Sequence, residues 1–214
     1  MSSLRELSRQ AVRVRIAEAA EDLFLAKGFN ETTVDEIAAA VGMSQRSFFR
    51  YFASKEDVVL EKFDRQGEEL FARLNSRPLD EPEWDSLRSC FDVFIAHLTD
   101  DTGRDRALQE IIESCPSLLA AQLERVHRIQ EQLAQRLAAR AVARDPGAIP
   151  DTLVLSALVG AAFACIQAAV RQALCGEGTS AQMGAFLDHA MEALRPLAPV
   201  GVGAGLSTGV TAER

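Results

Sequence analysis

The chain has little of what catalysis or metal binding requires. It holds three histidines and four cysteines in 214 residues. The cysteines, Cys90, Cys115, Cys165 and Cys175, have no CxxC spacing and do not cluster with His97, His127 or His189, so no zinc-ligand set can be assembled from sequence. They read as free thiols, packed as small hydrophobes in a reducing cytoplasm. No Gly-rich phosphate loop, nucleophile elbow or pair of matched carboxylates occurs, which leaves an enzyme with little support and no cofactor expected. Strand-like alternation is missing throughout. No basic, apolar and small-residue series opens the chain as a signal peptide would, so a cytoplasmic location is expected.

Positive charge is also short, with 23 Lys and Arg against 31 Asp and Glu for a formal net charge of -8. That balance argues against a protein that coats nucleic acid indiscriminately. The shortage is uneven, because residues 1 to 55 hold eight basic side chains against seven acidic ones, leaving fifteen against twenty-four elsewhere. The acidic surplus therefore lies outside the first quarter of the chain.

What is present is a short-helix pattern from Thr33 to Lys55, TVDEIAAAVGMSQRSFFRYFASK. Thr33 and Glu36 have capping-box spacing and open one helix, whose apolar face is Ile37, Ala38 and Val41. Gly42 supplies the turn residue that closes it. Ser44 is placed to cap a second helix, with Phe48 and Phe52 pointing inward and Gln45, Arg46, Ser47 and Arg50 outward. Two helices joined this way form a helix-turn-helix, and the outward face suits a major groove. Arg can bind guanine through two bonds and Gln can do the same with adenine, which makes Gln45 and Arg46 the candidate base readers.

This stretch, preceded by a long helix ending in Lys27, Gly28 and Phe29, resembles the N-terminal DNA-binding domain of the TetR family of bacterial regulators. The pattern is met by Thr33, Ile37-Ala38, Gly42-Met43-Ser44, Phe48-Phe49, Tyr51-Phe52 and Lys55-Glu56. Phe49 stands where the family usually has Tyr, so a phosphate hydrogen bond often made there cannot form. Arg46 replaces a frequent Gly and adds a charged reader. The resemblance implies duplex operator DNA as partner, with Thr33, Ser44, Gln45, Arg46, Ser47, Phe49, Arg50, Tyr51 and Lys55 at the interface. Among these Thr33, Tyr51 and Lys55 are expected on phosphates. It also implies a homodimer, a ligand cavity in the middle helices, and loss of DNA binding when an effector fits.

The rest of the chain reads as helix after helix, about nine in all, so the expected fold class is all-α. Residues 1 to 53 form the reading head, 54 to 196 a helical regulatory and dimerisation domain, and 197 to 214 a disordered tail. Residues 1 to 7 are expected to fray, ahead of a helix from about Ser8. Arg5, Arg9, Arg13 and Arg15 cluster at its beginning and suit either phosphate or minor-groove contact, or simple solvation. One continuous helix is expected from Ser54 to Asn75, another from Glu83 to Leu98, and a corner at Gly103. The stripe of Trp84, Phe91 and Phe94 suits an apolar or aromatic effector, with Phe63, Glu113, Phe163 and Gln167 as further lining, although a plain core would show the same stripe.

Leu153 to Val170 is the most apolar segment, but Ser156, Gln167 and its many small residues argue against a membrane span. A helix apolar all round is expected to be buried. Its small residues Ala157, Gly160, Ala161, Ala164 and Ala168, with Leu153, would admit a helix of a second copy. Met183, Phe186, Leu187, Ala190 and Leu194 on the last helix complete the expected dimer contact.

Overall fold

The computed structural model describes residues 4–97, 102–175 and 180–197, and every regular element among them is helical. The helices are α1 (Leu4–Lys27), α2 (Val34–Ala40), α3 (Gln45–Phe48), α4 (Lys55–Val59), α5 (Glu61–Asn75), α6 (Glu83–Cys90), α7 (Asp92–His97), α8 (Thr102–Ser114), α9 (Pro116–Arg144), α10 (Thr152–Cys175) and α11 (Ser180–Ala193).

There are more helices than the periodicity predicts because two expected helices are each broken once. The first break falls at Leu60, whose backbone lies at φ -93° and ψ 0°. Val58, Val59, Leu60 and Glu61 are buried in succession. Successive helical residues point 100° apart, so a straight surface helix can bury only a stripe and never four neighbours. The second break is at Phe91, where Cys90 and Phe91 are both fully buried. Further differences are small. The first helix starts at Leu4 rather than near Ser8, and Gly103 lies in the first turn of α8 rather than at a corner. The turn expected at Gly176 to Thr179 and the tail from residue 198 lie outside the described residues.

The chain divides into two compact units, Met1–Glu69 with Ala96–His127, and Leu70–Ile95 with Arg128–Arg214. In the first, α1 contributes Ile16, Ala17, Ala20 and Phe24 to a core shared with Ile37, Ala38, Phe48, Phe52 and Val58–Leu60. Leu108, Ile112 and Leu118 join the same core, so this unit contains α8 and the start of α9 besides the expected residues 1 to 53. Charge fastens these added helices. Arg104 of α8 donates to Asp22 at 2.7 Å and Glu21 at 3.3 Å, and Arg125 of α9 donates to Asp57 at 2.7 Å and Asp64 at 3.2 Å.

In the second unit α10 packs against α11 and α6. Trp84 is buried and its indole N–H donates to the Met191 carbonyl at 3.0 Å, while Phe91 meets Phe163 edge-on at 5.3 Å. The final carbonyls of α5 and its exit are capped by the Arg140 guanidinium, which donates to Leu74, Arg77 and Pro78 at 2.6 to 3.1 Å.

The expectation that α10 is buried all round is corrected by its two faces. Leu155, Leu158, Val159, Ala162, Phe163, Ile166, Ala169 and Ala173 are buried, whereas Leu153, Ala157, Ala164 and Ala168 are exposed and Gly160 and Ala161 half-buried. Among the described residues, α10 is the one helix long and apolar enough to cross a membrane, over Thr152–Ala173. The cysteines Cys90 and Cys165 are buried as expected, and burial pushes the Cys90 thiol up to about 12. Cys115 instead lies half-buried at the junction of α8 and α9, hydrogen-bonded to the Ser117 hydroxyl at 3.3 Å, which lowers its pKa.

Candidate nucleic-acid interface

The interface is built by local signals on a buried base. At the start of α2 the Thr33 hydroxyl accepts from the Glu36 amide at 3.3 Å, and the Glu36 carboxylate accepts from the Thr33 amide at 2.8 Å. Lys27, at the end of α1, forms an ion pair with the same carboxylate. The Lys27 contact, then the Thr33 amide, then the Thr33 hydroxyl, which donates to the same carboxylate at 2.8 Å, lower the Glu36 pKa to about 2 from an ordinary 4.5. A depressed carboxylate stabilises above its unfolded pKa and loses that contribution as pH falls through its folded value. Melting of the head should therefore become acid-sensitive between about 4.5 and 2. Glu36→Gln should flatten that dependence in a pH series of melting temperatures.

Gly42 leaves α2 at φ +73°, a left-handed conformation that side chains rarely adopt, and Met43 donates back to the Ala38 carbonyl at 2.9 Å. Ser44 then caps α3 by accepting from the Ser47 amide at 3.2 Å. The four residues of α3 would not hold a helix alone. They are held from beneath, by Phe48 at 0% and Phe52 at 3% exposure. Two arginines of α1 secure the far end. Arg9 donates to the Arg50 carbonyl at 3.3 Å, and Arg13 donates to the Tyr51 carbonyl while its guanidinium lies 4.2 Å from the centre of the Phe52 ring. Cations at the carbonyl end of a short helix complement its dipole and satisfy its open acceptors.

Of the residues expected at DNA, Thr33, Ser44, Gln45, Arg46, Phe49 and Arg50 are exposed and Ser47 and Tyr51 half-buried. Arg46 has no partner among the described residues, and Arg50 lies over the Tyr51 ring at 5.7 Å. Their cationic groups are available. Phe49 is 50% exposed and braced edge-on by Phe48 at 5.5 Å, an apolar group on an otherwise polar face. Lys55 differs from its expected role at phosphate. Its ammonium donates to the carbonyls of Phe29, Thr32 and Asn30 at 2.9, 3.2 and 3.4 Å and lies over the Phe29 ring, so it ties the α1–α2 connection to α4.

Beside α3 an open groove of about 580 Å³ is lined by Leu4, Arg5, Ser8, Arg9, Val12, Arg50 and Tyr51. Its arginines and exposed position suit an anionic backbone. The clamps made by Arg9, Arg13 and Lys55 escape sequence reading because each joins residues far apart in the chain. The only signal was the concentration of arginine at the start of α1.

The residues expected to line an effector space fall in different parts. Phe63 and Glu113 belong to the first unit, where Phe63 is half-buried against the core and Glu113 is exposed and accepts from Gln109 at 2.9 Å. Trp84, Phe91 and Phe163 are buried in the second, and Gln167 is on the exposed face of α10. The Phe94 side chain lies outside the described residues. In the expected dimer set, Met183 and Leu187 are fully buried within the protomer, Phe186 and Ala190 are half-buried, and Leu194 is exposed.

A family model for the bacterial regulatory proteins of the tetR family matches residues 16–61, and one for the MftR C-terminal domain matches residues 81–199. The chain belongs to the TetR family. It is 34% identical over 143 residues to the HTH-type transcriptional regulator TcmR of Streptomyces glaucescens, a match covering 64% of this chain and 63% of TcmR, less than two thirds of that protein. To the HTH-type transcriptional regulator EthR of Mycobacterium tuberculosis it is 28% identical over 176 residues, covering 81% and 80%. The fold resembles that of the TetR transcriptional regulator from Nitrosomonas europaea, with TM-score 0.59, 14% identity and coverage of 86% and 97%. SmeT, the repressor of the Stenotrophomonas maltophilia multidrug efflux pump SmeDEF, gives TM-score 0.54, 21% identity and coverage of 96% and 98%.

Proposed function

We propose that the protein is a cytoplasmic transcription regulator, a homodimeric repressor that binds a pseudo-palindromic operator in duplex DNA and leaves it when a small-molecule effector binds. The observation that carries this reading is the rigid presentation of Gln45 and unpaired Arg46 at the capped start of α3. A base reader must hold its geometry before it meets the groove, and here the backing is a buried pair of phenylalanines. Arg50, Tyr51 and the groove beside them take the DNA backbone, with Thr33 at a phosphate. Residues 1 to 53 are the reading head in this account, and 54 to 196 the regulatory and dimerisation part.

One such head contacts too few bases for a specific site, so a second half-site is needed. The exposed small-residue face of α10, continued by Phe186, Ala190 and Leu194 of α11, is assigned to the second copy. Ala157, Gly160, Ala161, Ala164 and Ala168 let a helix approach closely, and covering them removes from water the apolar surface that makes α10 look like a membrane span. The description of SmeT as a repressor and its complex with triclosan support the repressor and effector parts of the reading.

The test is a binding-site selection with wild type and Arg46→Ala. The variant should lose about 1 to 3 kcal/mol on the selected site and relax preference at one base pair of each half-site. Unchanged preference would remove Arg46 from the base readers.

A further inference from the structure

Five polar side chains are buried among the described residues: Thr32, Glu61, Gln66, Glu83 and Ser86. Four have partners. Thr32 donates to the Gly28 carbonyl at 2.8 Å, Glu61 accepts from Gln10 at 2.9 Å and from Arg65, Glu83 accepts from Arg144 at 3.0 Å, and Ser86 donates to Glu81 at 2.6 Å. Gln66, only 6% exposed, has none. A carboxamide carries two donors and an acceptor with two lone pairs, and stripping it of water without replacement costs the full desolvation of each. Folded proteins leave few groups in that condition, and those they leave call for a partner.

Gln66 belongs to the first unit, on α5 one turn after Phe63, which packs half-buried against the core of that unit. The next residue, Gly67, is also buried. Nearby charge is already used. Glu61 is held by Gln10 and Arg65, and Arg125 by Asp57 and Asp64, so α4 and α5 keep no buried charge in reserve for an ionic ligand.

We propose that Gln66 is the polar anchor of the effector site, and that the effector is a neutral, mostly apolar molecule with one hydrogen-bonding head such as a phenol, ketone or carboxamide. This rests on the reading of the protein as an effector-released regulator and narrows its ligand class. Gln66 meets the head with whichever of its groups is complementary, and Phe63 lies on the same face of α5 to pack against the apolar part. A carboxylate head is rejected because, among the described residues, α4 and α5 and the Arg125 guanidinium against them leave no unpaired buried cation to meet it.

The experiment uses the full-length protein and four probes of one size: naphthalene, 2-naphthol, 2-naphthamide and 2-naphthoate, titrated by calorimetry into wild type and Gln66→Leu. Wild type should bind 2-naphthol and 2-naphthamide about tenfold or more tightly than naphthalene, and naphthoate most weakly. Gln66→Leu should keep naphthalene binding and erase the advantage of the polar heads. It should also melt no lower than wild type, since it removes an unmet amide. The proposal is overturned if no neutral head improves on naphthalene, if Gln66→Leu preserves the ordering, or if it melts well below wild type, which would reveal an internal partner. Binding of wild type to genomic duplexes without probe tests the regulator reading separately. A protein that prefers the polar probes and ignores DNA would keep the anchor and lose that reading.

Discussion

Ala164→Glu should abolish operator binding while leaving each protomer folded. In the single protomer Ala164 is exposed on α10, so a carboxylate there remains in water and the fold has no reason to respond. In the proposed two-fold dimer the same position would be covered, and symmetry makes every substitution count twice across such an interface. Each copy would then bury a charge with no counterion, at a cost of about 3 to 5 kcal/mol for an unpaired charge in such a contact. A shift of that size weakens dimerisation by more than about a hundredfold. Sedimentation should show wild-type dimers and Ala164→Glu monomers at micromolar concentration, with unchanged helical content by circular dichroism. Variant dimers of wild-type stability would move the contact elsewhere.

Phe48→Ala should damage the reading head and spare the second unit. Phe48 is fully buried, and its ring lies between Phe49 at 5.5 Å and Phe52 at 5.9 Å. Truncating a buried phenylalanine costs about 3 to 5 kcal/mol through lost burial and an unfilled cavity. Because α3 is a single turn whose order depends on this anchor, the loss falls on Gln45 and Arg46 first. Hydrogen exchange should quicken in residues 33 to 60 while α10 and α11 keep their protection, and DNA affinity should disappear with dimerisation intact. Equal exchange in the head of variant and wild type would mean that α3 is held by something other than Phe48.

The features legible in the sequence are those whose cause is local. Thr33 with Glu36, Gly42 and Ser44 are each within four residues of the group they satisfy, and the structure has the two caps and the left-handed turn in the expected places. Phe48 and Phe52 follow from helical spacing alone. What escaped depends on distant partners. Nothing local distinguishes Arg9 and Arg13, which cap the end of α3, from Arg5, which lines the groove beside Arg9, because the difference is whether a distant carbonyl is met. Lys55 has the same explanation. The breaks at Leu60 and Phe91 occur where burial surrounds the chain, a condition that periodicity along one helix cannot express. For α10 the apolar pattern is plain, but a helix with one apolar face buried in the protomer and another apolar face exposed reads as uniformly buried. Gln66 gave no signal at all, since a lone glutamine in a helix is ordinarily a solvated one.

In the proposed assembly two copies present two α3 helices to one operator. Binding-site selection from a random duplex library, followed by the stoichiometry of protein on the enriched sequence, tests it most directly. The expected product is an inverted repeat with half-site centres about one helical turn apart, roughly 34 to 36 Å or a multiple of it, bound by two or more protomers in even number. A pool that remains random after selection, or a single half-site held by one protomer as tightly as the full repeat, would contradict it.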